Sequence, residues 1–140
     1  MRAAGVDLGR VRIGLAVEDE LGLLAHPRPP LDGRDVARAV ATLAERARAE
    51  GIGRFVVGLP VRLDGREGPE ARRARAFARR LEAATALPVE LWDERLSSRQ
   101  ASALLREGGA SARSSRGRVD GAAAALILQS YLDSRRARAQ

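Results

Sequence analysis

The sequence predicts an α/β protein built around a mixed, five-stranded β-sheet. Alternating apolar residues near the N-terminus indicate an antiparallel hairpin. Two later apolar runs follow stretches with helical periodicity, as expected for parallel strands that are joined by helices. The element order βββαβαβαα predicts three antiparallel strands and then two parallel strands, with helices on the faces of the sheet. A chain of 140 residues is predicted to form one domain over residues 1–140.

The N-terminal part is predicted to contribute the antiparallel strands. Strand one runs over Arg2–Leu8, turns at Gly9-Arg10, and returns over Val11–Val17 with every second side chain apolar. A third short strand is expected from about Gly22 to Ala25, because the prolines in residues 26–30 remove backbone donors and so predict the end of a strand.

The middle of the chain predicts a helix followed by a buried strand. Asp32 can cap a helix whose apolar residues recur at helical spacing and which ends near Gly51. The run Phe55–Leu59 is continuously apolar, which is typical of a parallel strand buried on both faces.

A second helix begins at Pro69, and Pro88 introduces the last strand. Ser97 and Gln100 form a capping-box pattern for a helix that is predicted to reach about Arg106. The glycine- and serine-containing stretch 108–118 is predicted to be flexible. A final helix is expected over Val119–Asp133, and residues 134–140 are expected to be a frayed basic tail.

The charge balance points to a polyanionic partner. The chain has 25 basic and 18 acidic residues, a net charge of +7 and a pI of about 11.4, and all of its basic residues other than one histidine are arginine. GC-rich coding is a competing explanation for the arginines. Aromatic residues make up 3%, which disfavours recognition by stacking bases on an aromatic platform. The absence of cysteine excludes disulfides and thiolate catalysis, and the lack of a leader or a long apolar segment predicts a cytoplasmic protein without membrane contact.

Three acidic residues stand out as a candidate catalytic and metal-binding site. Asp7 interrupts an apolar strand, Glu94 follows the last strand, and Asp120 lies near the start of the final helix. Carboxylates that converge repel one another unless a cation neutralises them, and hard cations such as Mg²⁺ or Mn²⁺ prefer oxygen ligands. Each acid also has a plain structural explanation: a turn acceptor for Asp7, an ion pair with Arg95 for Glu94, and a helix-dipole partner for Asp120.

Several segments together carry a resemblance to a known family. They are Gly5-Val6-Asp7-Leu8-Gly9, Arg12-Ile13-Gly14-Leu15-Ala16, Val57-Gly58-Leu59-Pro60, Asp64-Gly65, Asp93-Glu94-Arg95-Leu96 and Val119-Asp120. These segments resemble the YqgF family, also called RuvX-like, over nearly the whole chain. The resemblance implies a ribonuclease H-like fold related to Holliday junction resolvases, a nuclease acting on the 5′ end of precursor 16S ribosomal RNA, and Asp7, Glu94 and Asp120 as its catalytic acids. Arg10-Val11 departs from the family, whose members often have lysines there.

The arginines near these segments are candidate substrate-binding residues. Arg12 and Arg95 are expected to hold phosphates beside the metal ions. Five further arginines lie on two predicted loops that could clamp a nucleic-acid backbone: Arg62, Arg66, Arg113, Arg116 and Arg118. For any one of them alone, a solvated surface charge is the competing explanation.

The leading hypothesis is therefore a metal-dependent endonuclease that hydrolyses phosphodiester bonds in structured nucleic acid. Precursor 16S rRNA and four-way DNA junctions are both candidate substrates, and symmetric junction cutting requires a homodimer rather than a monomer. A nucleic-acid-binding module without catalysis is an alternative. A sugar kinase or actin-like ATPase is another, because Asp-Leu-Gly after a strand resembles their phosphate loop, although 140 residues leave room for only one of their two lobes.

Overall fold

The computed structural model describes residues 1–97 and 112–139, except the side chains of 112–120 and 139. A five-stranded sheet has the order β3-β2-β1-β4-β5 and is mixed, with antiparallel pairing on the β3 side and parallel pairing on the β5 side, as predicted. The strands are β1 (Arg2–Leu8), β2 (Arg12–Glu18), β3 (Ala25–Asp32), β4 (Ile52–Leu59) and β5 (Val89–Asp93), and the long helices are α1 (Val36–Glu50), α2 (Pro69–Thr85) and α3 (Ala112–Ala139).

Strand β1 occupies the centre of the sheet. It pairs antiparallel with β2 and parallel with β4, so that Val6 lies opposite both Leu15 and Val57. Its bounds agree with the sequence prediction. The residue after Val6, Asp7, therefore lies near the carboxyl end of the central strand.

Helices cover both faces of the sheet. Helices α1 and α2 pack on the face that presents Ala4, Val6, Phe55 and Val57, and together these elements form the larger hydrophobic core. Helix α3 packs on the other face through a second cluster made of Ala3, Ala16, Val56, Ala124, Ile127, Leu128, Tyr131 and Leu132. Successive strand residues point to opposite faces, so Asp7 faces α3, as Ala3 does. In the described part of the chain, no helix is both long and apolar enough to cross a membrane.

Gly5 allows α3 to approach β1 closely. A Cβ atom at this position would lie 2.8 Å from the carbonyl oxygen of Ala124 and 2.8 Å from Cβ of Leu128. We expect Gly5→Ala to lower the free energy of unfolding by about 1–3 kcal/mol, because backbone rather than a flexible side chain has to move. Urea unfolding measures this.

Gly51→Ala serves as the control for the Gly5 substitution. Gly51 caps α1 at φ 69°, and the space around a Cβ there is open, so only backbone strain of about 1 kcal/mol is expected. An unfolding free energy of Gly5→Ala equal to that of the parent protein would contradict the close packing of α3.

Strand β3 differs from its prediction. It runs over Ala25–Asp32 and includes Pro27, Pro29 and Pro30, whereas the sequence predicted a strand that ended before them. The reason is its position at the edge of the sheet, where a strand pairs on one side only and a missing N–H can face outward. The N-cap of α1 also shifts: Asp35 accepts from the Arg38 amide at 3.1 Å, and the predicted cap, Asp32, ends β3.

The C-terminal half of the structure differs from the sequence prediction in two places. A helical turn already begins at Arg95, and the hydroxyl of Ser97 donates to the Glu94 carbonyl at 3.1 Å, so Ser97 is not the N-cap. Gln100 and the rest of that predicted helix lie outside the described residues.

Helix α3 is longer than its prediction. It begins at Ala112, within the stretch expected to be flexible, and reaches Ala139, within the expected frayed tail. Its end is held by Arg136, which donates to Asp133 at 2.7 Å and to the carbonyl of Leu23 at 3.1 Å.

Candidate active site

Asp7 and Glu94 meet at the carboxyl edge of the parallel strands. Asp7 is half-buried in β1, and Glu94 directly follows β5, where its amide donates to the Leu59 carbonyl at 3.0 Å. Strands β1, β4 and β5 are adjacent and parallel, so their carboxyl ends lie at one edge of the sheet, where α/β proteins place their sites. The structure thus brings together two of the three predicted acids.

Gly58 creates the space in which the Glu94 carboxylate lies. A Cβ at Gly58 would be 2.7 Å from Oε1 of Glu94 and 2.7 Å from Cδ1 of Ile127. Gly58 follows Val57, the partner of Val6, and so lies beside Asp7 on the face that carries α3. The two carboxylates therefore meet above a residue without a side chain. This role of Gly58 was not predicted from the sequence, although a glycine inside an apolar strand is a signal of close backbone approach.

The electrostatics of the pair are those of two acids that compete for one proton. The pKa of Glu94 is raised to about 7, mainly by burial and in addition by the charge of Asp7, a hydrogen bond with Asp7 and the charge of Asp93. Near neutral pH the pair thus holds a proton for part of the time, unless a cation takes its place. An oxygen-only pair of this kind fits a hard divalent cation such as Mg²⁺ or Mn²⁺.

Asp120 is placed by its backbone only. Helix α3 runs antiparallel to β1: Tyr131 accepts a hydrogen bond from Arg54 near the start of β4, whereas Ala124 lies against Gly5. Asp120 lies one helical turn before Ala124, toward the end of β1 that carries Asp7. Its side chain is outside the described residues. Among the side chains that the structure does describe, no three acidic, histidine or cysteine residues form a metal-binding group.

The ion pair that the structure describes for Arg95 is with Asp93, whereas the structural explanation for Glu94 predicted a pair with Arg95. Its guanidinium donates to Oδ2 of Asp93, at 2.7 Å from Nη2 and 3.0 Å from Nε, and to Oδ1 at 3.1 Å from Nε. Its amide donates to Oδ1 at 2.9 Å. The hydrogen bonds from Arg95 hold the pKa of Asp93 below its usual range. Asp93 thus remains charged and orients Arg95 beside the carboxylate pair, a role that the sequence analysis did not assign.

The other predicted substrate-binding arginines form two groups: those whose side chains the structure describes and those of which it describes only the backbone. Arg12 starts β2 beside the β1–β2 turn, and Arg62 and Arg66 are exposed in the segment after β4, at the same edge as Asp7. The positions of Arg113, Arg116 and Arg118 fall in the first turns of α3 and not in a loop, while their side chains lie outside the described residues.

Gly58 offers a test of this geometry. We expect Gly58→Ala to push Glu94 away from Asp7, to lower the pKa of Glu94 toward its usual range, and to reduce any activity of the pair by about 10–100-fold, since displacements of about 1 Å have such effects. NMR titration of the Glu94 carboxyl measures the pKa. Gly53→Ala in the same strand is the control, because the three atoms nearest to a Cβ there all belong to the side chain of Met1, which is 98% exposed. An unchanged titration in Gly58→Ala would contradict the assigned contact.

Solved structures define the class of fold. The chain is similar to Thermus thermophilus RuvC in complex with a Holliday junction substrate, with a TM-score of 0.62, 18% identity and 96% coverage of each chain. It is also similar to the fowlpox virus Holliday junction resolvase, with a TM-score of 0.57, 12% identity and coverage of 96% and 99%. The fold is therefore that of the ribonuclease H-like proteins, as the resemblance implied.

Sequence comparison then gives the family. Residues 1–134 match the model of the family described as RuvX: Holliday junction resolvase, and the chain belongs to that family. A relative from Anaeromyxobacter dehalogenans strain 2CP-C, which carries the provisional name pre-16S rRNA nuclease, is 57% identical over 135 residues, or 96% of this chain and 98% of its own. The family prediction made from the sequence is confirmed, and the kinase alternative is set aside.

Proposed function

We propose that this protein is a metal-dependent endonuclease that hydrolyses phosphodiester bonds in structured nucleic acid, and that its substrate is the 5′ end of precursor 16S rRNA. The observation that carries the proposal is the contact between Asp7 and Glu94 above Gly58, in a chain whose relatives bear nuclease names. A role in ribosome biogenesis would place the protein in the cytoplasm.

Asp7, Glu94 and Asp120 are the proposed ligands of Mg²⁺ or Mn²⁺. Their support is the contact between Asp7 and Glu94, where the negative charge of Asp7 adds to burial in raising the pKa of Glu94, and the backbone position of Asp120. When bound, such ions supply positive charge that polarises the phosphodiester and lowers the pKa of a coordinated water. The chain itself contributes carboxylates fixed on rigid strand ends, which need little rearrangement as charge develops in the transition state.

The arginines are the proposed phosphate contacts. Arg95 is oriented by Asp93, and Arg12, Arg62 and Arg66 approach the same edge of the sheet from other elements. Arg113, Arg116 and Arg118 are proposed to add charge from the start of α3. With a net charge of +7, binding is expected to weaken steeply as salt is raised.

Resolution of four-way DNA junctions is the second candidate function. The description of the family favours it, as does the fold shared with a RuvC that was solved on a Holliday junction. A junction has two strands to cut, so this activity predicts a homodimer, whereas trimming of an RNA end is compatible with a monomer. Light scattering measures the oligomeric state with and without a junction.

Cleavage assays test the proposed function directly. Purified protein is incubated with precursor 16S rRNA fragments and with synthetic four-way junctions, each with Mg²⁺, Mn²⁺ or a chelator, and the new ends are mapped by sequencing. Metal-dependent cuts at a fixed position near the 5′ end of the mature rRNA support the proposal. Salt-sensitive binding with no cleavage under any of these conditions supports a binding module without catalysis.

A further inference from the structure

The segment after β4 forms a tight hairpin over Val61–Glu67, which we call the finger hairpin. Val61 and Glu67 form an antiparallel bridge, and the Arg62 amide donates to the Arg66 carbonyl at 3.0 Å. The Gly65 amide donates back to the Arg62 carbonyl at 2.8 Å, with Gly65 at φ 85°. This is the pattern of a three-residue turn with glycine in the left-handed position, so the tip has a defined shape.

The base of the finger hairpin is anchored to the rest of the protein. Val61 is partly buried and packs against the larger core, and Glu67 accepts two hydrogen bonds of 2.7 Å from Arg75 of α2. A Cβ at Gly68 would lie 2.8 Å from Nη2 of Arg62, so the Arg62 side chain rests on the backbone that enters α2. Because both ends of the hairpin are fixed, the residue at its tip is held in a defined position.

Leu63 is the side chain at that tip, and it is 96% exposed. An isolated exposed leucine is ordinary, but two more exposed apolar side chains lie at the same edge of the sheet. Val11 follows β1 and is 60% exposed, and Leu96 follows β5 and is 57% exposed. Each of the three strands that end beside the carboxylate pair is therefore followed by an exposed apolar side chain.

Leu63 is also close to the proposed site. It is the fourth residue after Leu59, whose carbonyl accepts from the Glu94 amide, so the Cα atoms of Leu59 and Leu63 are at most about 14 Å apart. Exposed arginines flank it at Arg62 and Arg66. Apolar side chains that enter nucleic acid between base steps include leucine, and they work alongside basic and amide side chains that contact the groove.

We propose that Leu63 is a wedge that inserts between neighbouring bases of the substrate, while the finger hairpin holds the strand at the carboxylate pair. The proposal rests on the proposed function and narrows its substrate class. Opening a continuous duplex step costs the stacking free energy of that step, so the wedge selects nucleic acid whose stacking is already interrupted, at a boundary between duplex and single strand or at a branch. It also explains how a chain with 3% aromatic residues contacts bases.

Fluorescence of 2-aminopurine tests the wedge without relying on cleavage. The base analogue is placed at the boundary of an RNA duplex that has a single-stranded 5′ extension, and separately at the branch of a four-way DNA junction. Binding is measured with Asp7→Asn protein, which is expected to bind without cutting. Insertion of Leu63 is expected to increase the fluorescence of at least one probe at saturation.

Two substitutions and a matched control complete the experiment. Leu63→Ser is expected to remove most of the fluorescence increase and to weaken binding by about 10-fold, and Leu63→Phe is expected to restore both. Leu21→Ser is the control, because Leu21 is 80% exposed in the β2–β3 turn at the opposite edge of the sheet. Thermal unfolding of all three variants is expected to match that of the parent protein.

The outcomes separate this inference from the proposed function. If Leu63→Ser binds with the parent's affinity and fluorescence, or if no probe changes on binding, the wedge is wrong, whether or not the protein cleaves. If the fluorescence depends on Leu63 but the protein with Asp7 intact cuts nothing, the wedge holds for binding and the nuclease proposal fails.

Discussion

Asp7→Asn is expected to lower the rate of cleavage by at least about 10³-fold, which corresponds to about 4 kcal/mol of transition-state stabilisation. Asparagine has nearly the shape of aspartate and keeps one carbonyl oxygen, but it carries no negative charge to hold a divalent cation. Nucleic-acid affinity is expected to change by less than about 3-fold, because the proposed phosphate contacts come from arginines. Single-turnover cleavage and binding titration, done on the same preparation, measure the two effects.

Asp35→Asn is the matched control for Asp7→Asn. Asp35 is an exposed aspartate that caps α1, the helix that packs on the face of the sheet opposite to α3, and asparagine is an equally good N-cap. It is expected to leave cleavage, binding and stability unchanged. Cleavage by Asp7→Asn at the rate of the parent protein would show that the activity comes from another residue or from a contaminating nuclease.

Glu94→Gln is expected to abolish cleavage to a similar extent while making the metal-free protein more stable above neutral pH. The pKa of Glu94 is raised from 4.5 to about 7 in the folded protein, so folding favours its protonated form. The stability that this proton provides is fully present below about pH 4.5 and is lost as the pH rises to about 7. Because Glu94 is only partly buried, the loss is about 1–2 kcal/mol. Glutamine stays neutral, so the Glu94→Gln protein does not lose this stability.

Urea unfolding at several pH values, with a chelator present, measures the predicted difference. At about pH 8 the Glu94→Gln protein is expected to be more stable than the parent, and at about pH 4 the two are expected to be alike. Added Mg²⁺ is expected to stabilise the parent and not the variant. Glu90→Gln removes an exposed carboxylate from β5, the strand that Glu94 follows, as a control. Parallel stability curves for parent and Glu94→Gln would contradict the raised pKa.

The fold was largely predictable because its strands carry clear patterns. Alternation over residues 11–17 predicts an antiparallel strand of a hairpin, and the apolar run Phe55–Leu59 predicts a buried parallel strand. The structure has both. Prolines misled the prediction for β3, because their effect depends on whether a strand is at an edge, which local sequence does not reveal. The length of α3 was missed because glycine and serine were taken as breaks, while contacts such as that of Arg136 with Leu23 come from distant parts of the chain.

The candidate site was predictable in part. Asp7 and Glu94 could be predicted, since charged residues at the ends of apolar strands stand out in a sequence. Gly58 and Asp93 were missed because their roles depend on three-dimensional contacts: the space that Gly58 leaves for the Glu94 carboxylate, and the orientation of Arg95 by Asp93. The exposure of Leu63 likewise follows from the turn geometry around Gly65 and could not be read from the residue type.

The strand positions of the two carboxylates give them unequal resistance to local opening. Asp7 belongs to a strand that is hydrogen-bonded on both sides, whereas Glu94 follows a five-residue strand that pairs with β4 on one side. Amide protons of β1 are therefore expected to exchange with solvent only through global unfolding, and those of β5 through smaller openings. Fraying of one short strand would thus separate the acids and switch the site off while the rest of the protein stays folded.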